Sequence, residues 1–255
     1  IKGRYINEIW GYTTKGIAKS NEEMNAHLST TDQSTIGSNW AAGDIMYEDT
    51  NNDKQINDGA RTITDHGDLK VIGNSTPRFL WGIDLNASWK GFDIRAFFQG
   101  VMKRDAWLGG SWGSLEYYFG ATNSGEWWAT GITAVKDYYR DANTWSVANG
   151  YQKANQDAFL PRATFSNKNE RCQTRYLMNA AYMRLKNFQA GYTIPRNITT
   201  KWGISNMRVF VSIENLFTIT KMPKQFDPEI IGTDSRHSNG YPLSKTFSFG
   251  INVTF

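Results

Sequence analysis

The stretch FLWGIDLNASWKGFDIRAFF, from Phe79 to Phe98, decides the fold. Phe79, Trp81, Ile83, Leu85, Ala87 and Trp89 stand at every second position, and after Lys90-Gly91 the alternation resumes with Phe92, Ile94, Ala96 and Phe98. A period of two belongs to a strand whose two faces meet different surroundings, and a two-residue break containing Gly predicts a hairpin with a very tight turn. The end of the chain reads the same way. Phe247, Phe249, Ile251, Val253 and Phe255 alternate with Thr246, Ser248, Gly250, Asn252 and Thr254. A further strand sets Met207, Val209, Val211 and Ile213 against Arg208, Phe210, Ser212 and Glu214. From Tyr182 to Thr193 the pattern breaks phase, with Met183 and Leu185 out of step with Phe188, Ala190 and Tyr192. One extra residue near Asn187, a β-bulge, reconciles them.

The connections between these strands are very unequal. On this reading residues 1–77 form a long loop region, 78–102 a hairpin, and 103–177 a long aromatic-rich loop. Residues 178–217 then hold two strands joined by a short turn at 195–206, residues 218–244 another long loop, and 245–255 a final strand. Compact water-soluble domains seldom carry such long irregular connections, whereas outer-membrane barrels combine short periplasmic turns with long extracellular loops.

Composition narrows the function classes. The 10 Trp, 12 Tyr, 14 Phe and 23 Gly suit pleated strands and aromatic-bearing loops better than helices. A net charge of +4 with scattered basic residues gives no continuous footprint for nucleic acid. Cys172 stands alone, which excludes an internal disulfide and a CxxC metal site. No apolar run approaches the ~18 residues of a transmembrane helix, but a barrel strand crosses a bilayer with about 10 alternating residues. Residue 1 is Ile with no signal segment after it, so a mature product or a piece of a longer chain is expected.

Alternation by itself fits a water-soluble barrel as well as a membrane barrel. Arg78, Asp84, Lys90, Asp93, Arg95, Arg208 and Glu214 all fall on the polar parity. An Arg or Lys facing lipid at the midplane costs about 2–4 kcal/mol, so a membrane barrel demands that segregation. Trp81, Trp89, Phe92, Phe98 and Phe255 sit near strand ends, where aromatic girdles lie. The apolar rows are therefore expected to face hydrocarbon and the charges to face water within.

Several motifs, in order, resemble one family. They are Ile72-Gly73-Asn74-Ser75-Thr76-Pro77-Arg78-Phe79, Gly82 with Lys90-Gly91-Phe92-Asp93, Tyr182-Met183-Arg184-Leu185-Lys186-Asn187, Gly191-Tyr192-Thr193-Ile194-Pro195, Asn215-Leu216-Phe217, Phe226-Asp227-Pro228-Glu229 and Gly240-Tyr241-Pro242. Together they are similar to the late barrel of SusC/RagA-type TonB-linked outer-membrane transporters. The resemblance implies an all-β transmembrane antiparallel barrel, of which this chain supplies roughly the last five of 22 strands. It further implies a plug domain in the remainder of the barrel, a SusD-like surface lipoprotein, the TonB complex, outer-membrane lipid of a Gram-negative, Bacteroidota-type bacterium, and an oligosaccharide or peptide as cargo. An isolated five-stranded sheet would leave two unpaired edges in lipid, so the rest of the barrel must complete it.

Two groups of residues are candidates for binding. Asp49, Asn51, Asp53 and Gln55, followed by Asn57 and Asp58, carry the oxygen spacing of a Ca²⁺ loop within 49–60. Lys54 replaces the turn glycine and Ala60 the bidentate acid, so a polar Asx-rich turn is the competing reading. Trp107, Trp112, Tyr117, Tyr118, Trp127 and Trp128 crowd the longest loop, where they either line a glycan path or pack into a core for the loop itself. Asp84, Asp93, Arg95, Arg208 and Glu214 are the expected polar lining of the path. Gly109-Gly110-Ser111-Trp112-Gly113 matches GxSxG, but in a Gly/Trp-rich loop rather than at a strand-to-helix elbow, and no enzyme activity is expected. The alternative to a transporter is a water-soluble, aromatic-rich β-domain that holds carbohydrate.

Overall fold

The computed structural model describes residues 1–107, 136–164, 166–224, 226–231 and 243–255. Their strands are, in chain order, β1 (Glu8–Gly11), β2 (Thr14–Ile17), β3 (Ile45–Tyr47), β4 (Lys70–Asn74), β5 (Arg78–Trp89), β6 (Phe92–Lys103), the two-residue β7 (Asp105–Ala106) and β8 (Met178–Asn179), β9 (Tyr182–Thr193), β10 (Asn206–Glu214), β11 (Thr218–Thr220) and β12 (Thr246–Thr254). The backbone divides into two units. One comprises Ile1–Ser75 and Ala106–Leu177, the other Thr76–Asp105, Met178–Asp234 and Asn239–Phe255.

The second unit is an antiparallel sheet in the order β12-β10-β9-β6-β5, with β11 added at the end of β9. Lys90 and Gly91 take φ of +47° and +88°, the left-handed pair that a two-residue primed turn requires. That turn brings Trp89 opposite Phe92 and fixes the register of the whole hairpin, from Leu85↔Ala96 out to Arg78↔Lys103. Between β9 and β10 the chain makes a short helical turn at Arg196–Thr199 and a 3-10 turn at Thr200–Trp202, closed by Gly203. β9 carries the bulge that its phase break implies. Phe97 pairs with Asn187 and Phe98 with Leu185, so Lys186 is the inserted residue.

Register then decides the faces. Phe92, Ile94 and Ala96 pair with Tyr192, Ala190 and Phe188, which gathers the apolar parity of both strands on one side. That side is open: Phe79, Ile83, Leu85, Trp89, Phe92, Ile94, Phe247, Phe249, Ile251, Val253 and Phe255 are all exposed. A large apolar side chain left in water forfeits about 1.5–3 kcal/mol. Eleven of them together would exceed the roughly 5–15 kcal/mol net stability of a whole domain. The face therefore requires an apolar surrounding.

The first unit gathers stretches that sequence patterning alone leaves as irregular connections. β1 pairs with β4 and β2 with β3, both antiparallel. A helix, α1 (Asn21–Leu28), starts at Ser20, whose side chain accepts from the Glu23 amide, and it buries Met24 and His27. Tyr47, Tyr176, Met24, Ile45, Ile56 and Leu160 are fully buried there. Tyr12 exchanges backbone hydrogen bonds with Cys172 and Thr174, joining segments about 160 residues apart.

Candidate functional site

The polar face of the sheet is where the sequence places the five charged lining candidates. Asp84 on β5 and Arg95 on β6 form an ion pair, Arg95 Nη2 lying 2.6 Å from Asp84 Oδ2 and Nε 3.1 Å from Oδ1. Asp93 on β6 pairs with Arg208 on β10, although β9 runs between them. The bridge is possible because the intervening residue is Gly191, which pairs with Asp93. A Cβ there would lie 2.5 Å from Arg208 Nη2 and 2.7 Å from Cζ, so the guanidinium crosses the strand over the missing side chain. Arg208 also stacks over the Phe210 ring at 4.9 Å, and Phe210 in turn lies over Gly250. Asn187 reaches Ser212 at 3.4 Å. Glu214, paired in register with Asn187 and Thr246, is exposed at the far end of β10, away from Arg208. Four of the five expected lining charges thus occur as two ion pairs, and the fifth stands apart.

A second, denser group on this face comes from two of the motifs that carry the family resemblance and was not among the binding candidates. Arg184, paired in register with Gln99 and Thr218, is buried. Its guanidinium donates to Thr218 Oγ1, to Glu229 Oε2 and to Asp227 Oδ1, each at 2.7 Å. Lys186 Nζ lies 2.7 Å from Glu229 Oε1. Asp227 accepts as well from the amides of Glu229 and Leu243. Burial by itself would raise the Asp227 carboxyl, but those amides and the Arg184 guanidinium outweigh it and hold the group below the usual carboxylate range. Arg104 donates to the carbonyls of Pro228 and Ile231. Two sequence signals pointed here: cations two apart beside the phase break of β9, and acids two apart around a proline.

The loop at 49–60 belongs to the first unit. Asp49 accepts from the amides of Asn52 and Lys54, and Asp53 from the amide of Gln55 and the side chains of Asn51 and Asn57. Asn52 and Lys54 carry left-handed φ, which is the close winding of an Asx-rich turn. Asp58 is engaged with Tyr12 and Arg61. The carboxylate that faces this winding is instead Asp68, fully buried and accepting from Thr50 and Asn57. Burial first, and then Asp49 and Asp53 nearby, raise its pKa. Among the described residues no group of three or more His, Cys, Asp or Glu side chains is arranged to hold a metal ion.

Of the aromatic loop candidates, Trp107 is half-buried, while Trp112, Tyr117, Tyr118, Trp127 and Trp128 lie outside the described residues, as does the Gly109–Gly113 motif. Trp145 and Tyr151, further along, stack on one another at 5.3 Å and are exposed. Cys172 is half-buried, and burial pushes its thiol up to about 12.

No family model matches the chain. Two receptors of Formosa agariphila are similar to it along its full length: TonB-dependent receptor P3, 27 % identical, and TonB-dependent receptor P26, 25 % identical. The chain spans about 22 % of the length of the first and 23 % of the second. Among solved structures, the RagAB peptide transporter superposes with a TM-score of 0.62 over 98 % of this chain and 23 % of its own, at 22 % identity. The RagAB peptide importer in its closed-closed state gives 0.61 over the same shares. Over its whole length the chain is therefore similar to TonB-dependent receptors, and its antiparallel sheet has the fold of part of a RagA-type barrel.

Proposed function

We propose that this chain is a section of the wall of a TonB-dependent outer-membrane transporter that takes up a nutrient, either an oligosaccharide or a peptide. One observation carries the reading: the exposed row of Phe, Ile, Leu, Val and Trp on one face of the sheet, opposite a face that holds the charges. In a bilayer the first face meets hydrocarbon and the second encloses water. Asp84, Asp93, Arg95, Arg208 and Glu214 then line that aqueous side. The remainder of the barrel with its plug, a SusD-like surface lipoprotein and the TonB complex complete the machine, which works by binding and release without covalent chemistry. The spacing of Asp49, Asn51, Asp53 and Gln55 supports a structural Ca²⁺ in the 49–60 loop, with a metal-free Asx-rich turn as the competing reading.

Fractionation of cells producing the complete receptor tests the reading. The protein is expected in the outer membrane, released only by detergent, and resistant to unfolding in SDS until heated. A receptor that is extracted by buffer alone and stays monomeric would favour the water-soluble carbohydrate-binding module instead.

A further inference from the structure

All the long connections of the sheet leave from one end, since Arg78 pairs with Lys103, Val101 with Tyr182 and Glu214 with Thr246. The connection after β11 is folded back at that end. Met222, Phe226 and Ile231 are buried, and Asp227 and Glu229 reach Arg184 and Lys186. The side of the sheet on which this happens follows from register. Arg184 pairs with Gln99, which shares its face with Phe97 and Arg95 along β6, and paired residues project to the same side. The bulge at Lys186 brings a second cation and then Asn187 onto that side, where a regular strand would have turned one of them away. The four charges balance as two cations and two anions.

We infer that residues 221–224 and 226–231 form a strap fixed across the polar face at the long-connection end, that it sets the width of the opening there, and that Arg184 is the residue that positions it. The inference rests on the polar face being the aqueous side of a barrel wall. Arg184 has no contact with cargo in this scheme. It acts by holding Asp227 and Glu229, while Arg104 holds the carbonyls of Pro228 and Ile231.

The test uses the complete receptor in outer membranes with Cys172→Ser as background and Ser212→Cys as reporter. Ser212 is level with Gln189 and Arg95, four residues along β6 from Gln99, hence roughly 13 Å further along the wall than the strap's anchor. With the strap in place the reporter is expected to react with a small maleimide and to resist a maleimide carrying a bulky polyethylene glycol. Arg184→Met is expected to raise the rate with the bulky reagent by more than about tenfold and to raise hydrogen exchange across the strap by a similar factor. Arg184→Lys, which keeps the charge, is expected to restore part of the block. Because Arg184→Met leaves the buried Asp227 without its cation and Glu229 with Lys186 alone, the triple variant with Asp227→Asn and Glu229→Gln is measured beside it and is expected to behave as released. Two results overturn the inference: a strap that stays protected in both variants, or a strap that exchanges freely while bulky labelling stays blocked. A reporter that reacts equally with both reagents when Arg184 is intact also overturns the inference, whereas a complete receptor that leaves the membrane fraction in buffer alone overturns the transporter reading instead.

Discussion

At Gly191 the lack of a single carbon decides whether two charges on strands that are not neighbours can meet. Arg208 occupies the space a Cβ would take, and from there it reaches Asp93. Gly191→Ala is expected to push the guanidinium off the strand, separate the pair and cost about 1–3 kcal/mol by overpacking. Urea unfolding of the complete receptor refolded into lipid vesicles measures it, and an unchanged midpoint would show that the pair can re-form by another route. The alternation of the strands places Asp93 and Arg208 on one face, but nothing local to either residue says that they touch. In the 49–60 loop the same scale carries a metal prediction. Calcium at about 100 times its Kd is expected to stabilise the first unit by roughly 2.7 kcal/mol, and Asp53→Ala to abolish that gain. Differential scanning calorimetry with calcium or with a chelator reads both. Asp68, which sequence spacing did not suggest, faces this loop because the segment between Gly59 and Gly67 doubles back, their backbones closing to the point where neither tolerates a Cβ.

Among the elements, β9 shows how a local irregularity acquires a role. Its phase break is legible in the order of Met183, Leu185, Phe188, Ala190 and Tyr192, and it appears as the insertion of Lys186. The consequence is not legible, since the acids that Arg184 and Lys186 hold come from a connection more than forty residues later. β3 is tied down by a comparable device. Asp44, fully buried beside it, accepts from Arg162 and Lys168 at 2.8 Å and from Asn169 at 2.9 Å, while Asn169 also caps the Ile45 amide. Burial alone would raise the Asp44 carboxyl, but the bonds from Arg162, Asn169 and Lys168 hold it below its ordinary value. A carboxyl depressed in the folded state adds stability that is complete above its unfolded pKa and fades as pH falls through the folded one. The first unit is accordingly expected to lose stability below about pH 4. Asp44→Asn is expected to cost about 3–5 kcal/mol at neutral pH, because the buried Lys168 ammonium keeps the Ser38 and Asn39 carbonyls but loses its counter-charge, and to flatten that acid dependence. Thermal melts between pH 3 and pH 7 compare the two proteins, and parallel pH profiles would place the acid-sensitive group elsewhere.

For the molecule as a whole, the decisive quantity is what lies against each face of the sheet. Phe249→Arg is expected to destabilise the assembled barrel by about 2–4 kcal/mol if its level is the bilayer midplane, while Ser248→Arg, one residue away on the polar side, is expected to be tolerated. Reversible unfolding in vesicles separates the two, and equal costs would argue against a lipid-facing row. That polarity was fixed by the chain itself: a period of two in side-chain direction converts directly into two faces, the Lys90-Gly91 dipeptide into a turn, and a broken phase into a bulge, because each depends only on neighbours along the backbone. Which charges pair, which loop acid faces the Asx-rich winding, and how the stretches on either side of the hairpin collect into a unit with its own core were decided by the tertiary structure. Those contacts join residues tens to more than a hundred positions apart, and sequence spacing sets which side a residue stands on but not which distant segment folds back to meet it.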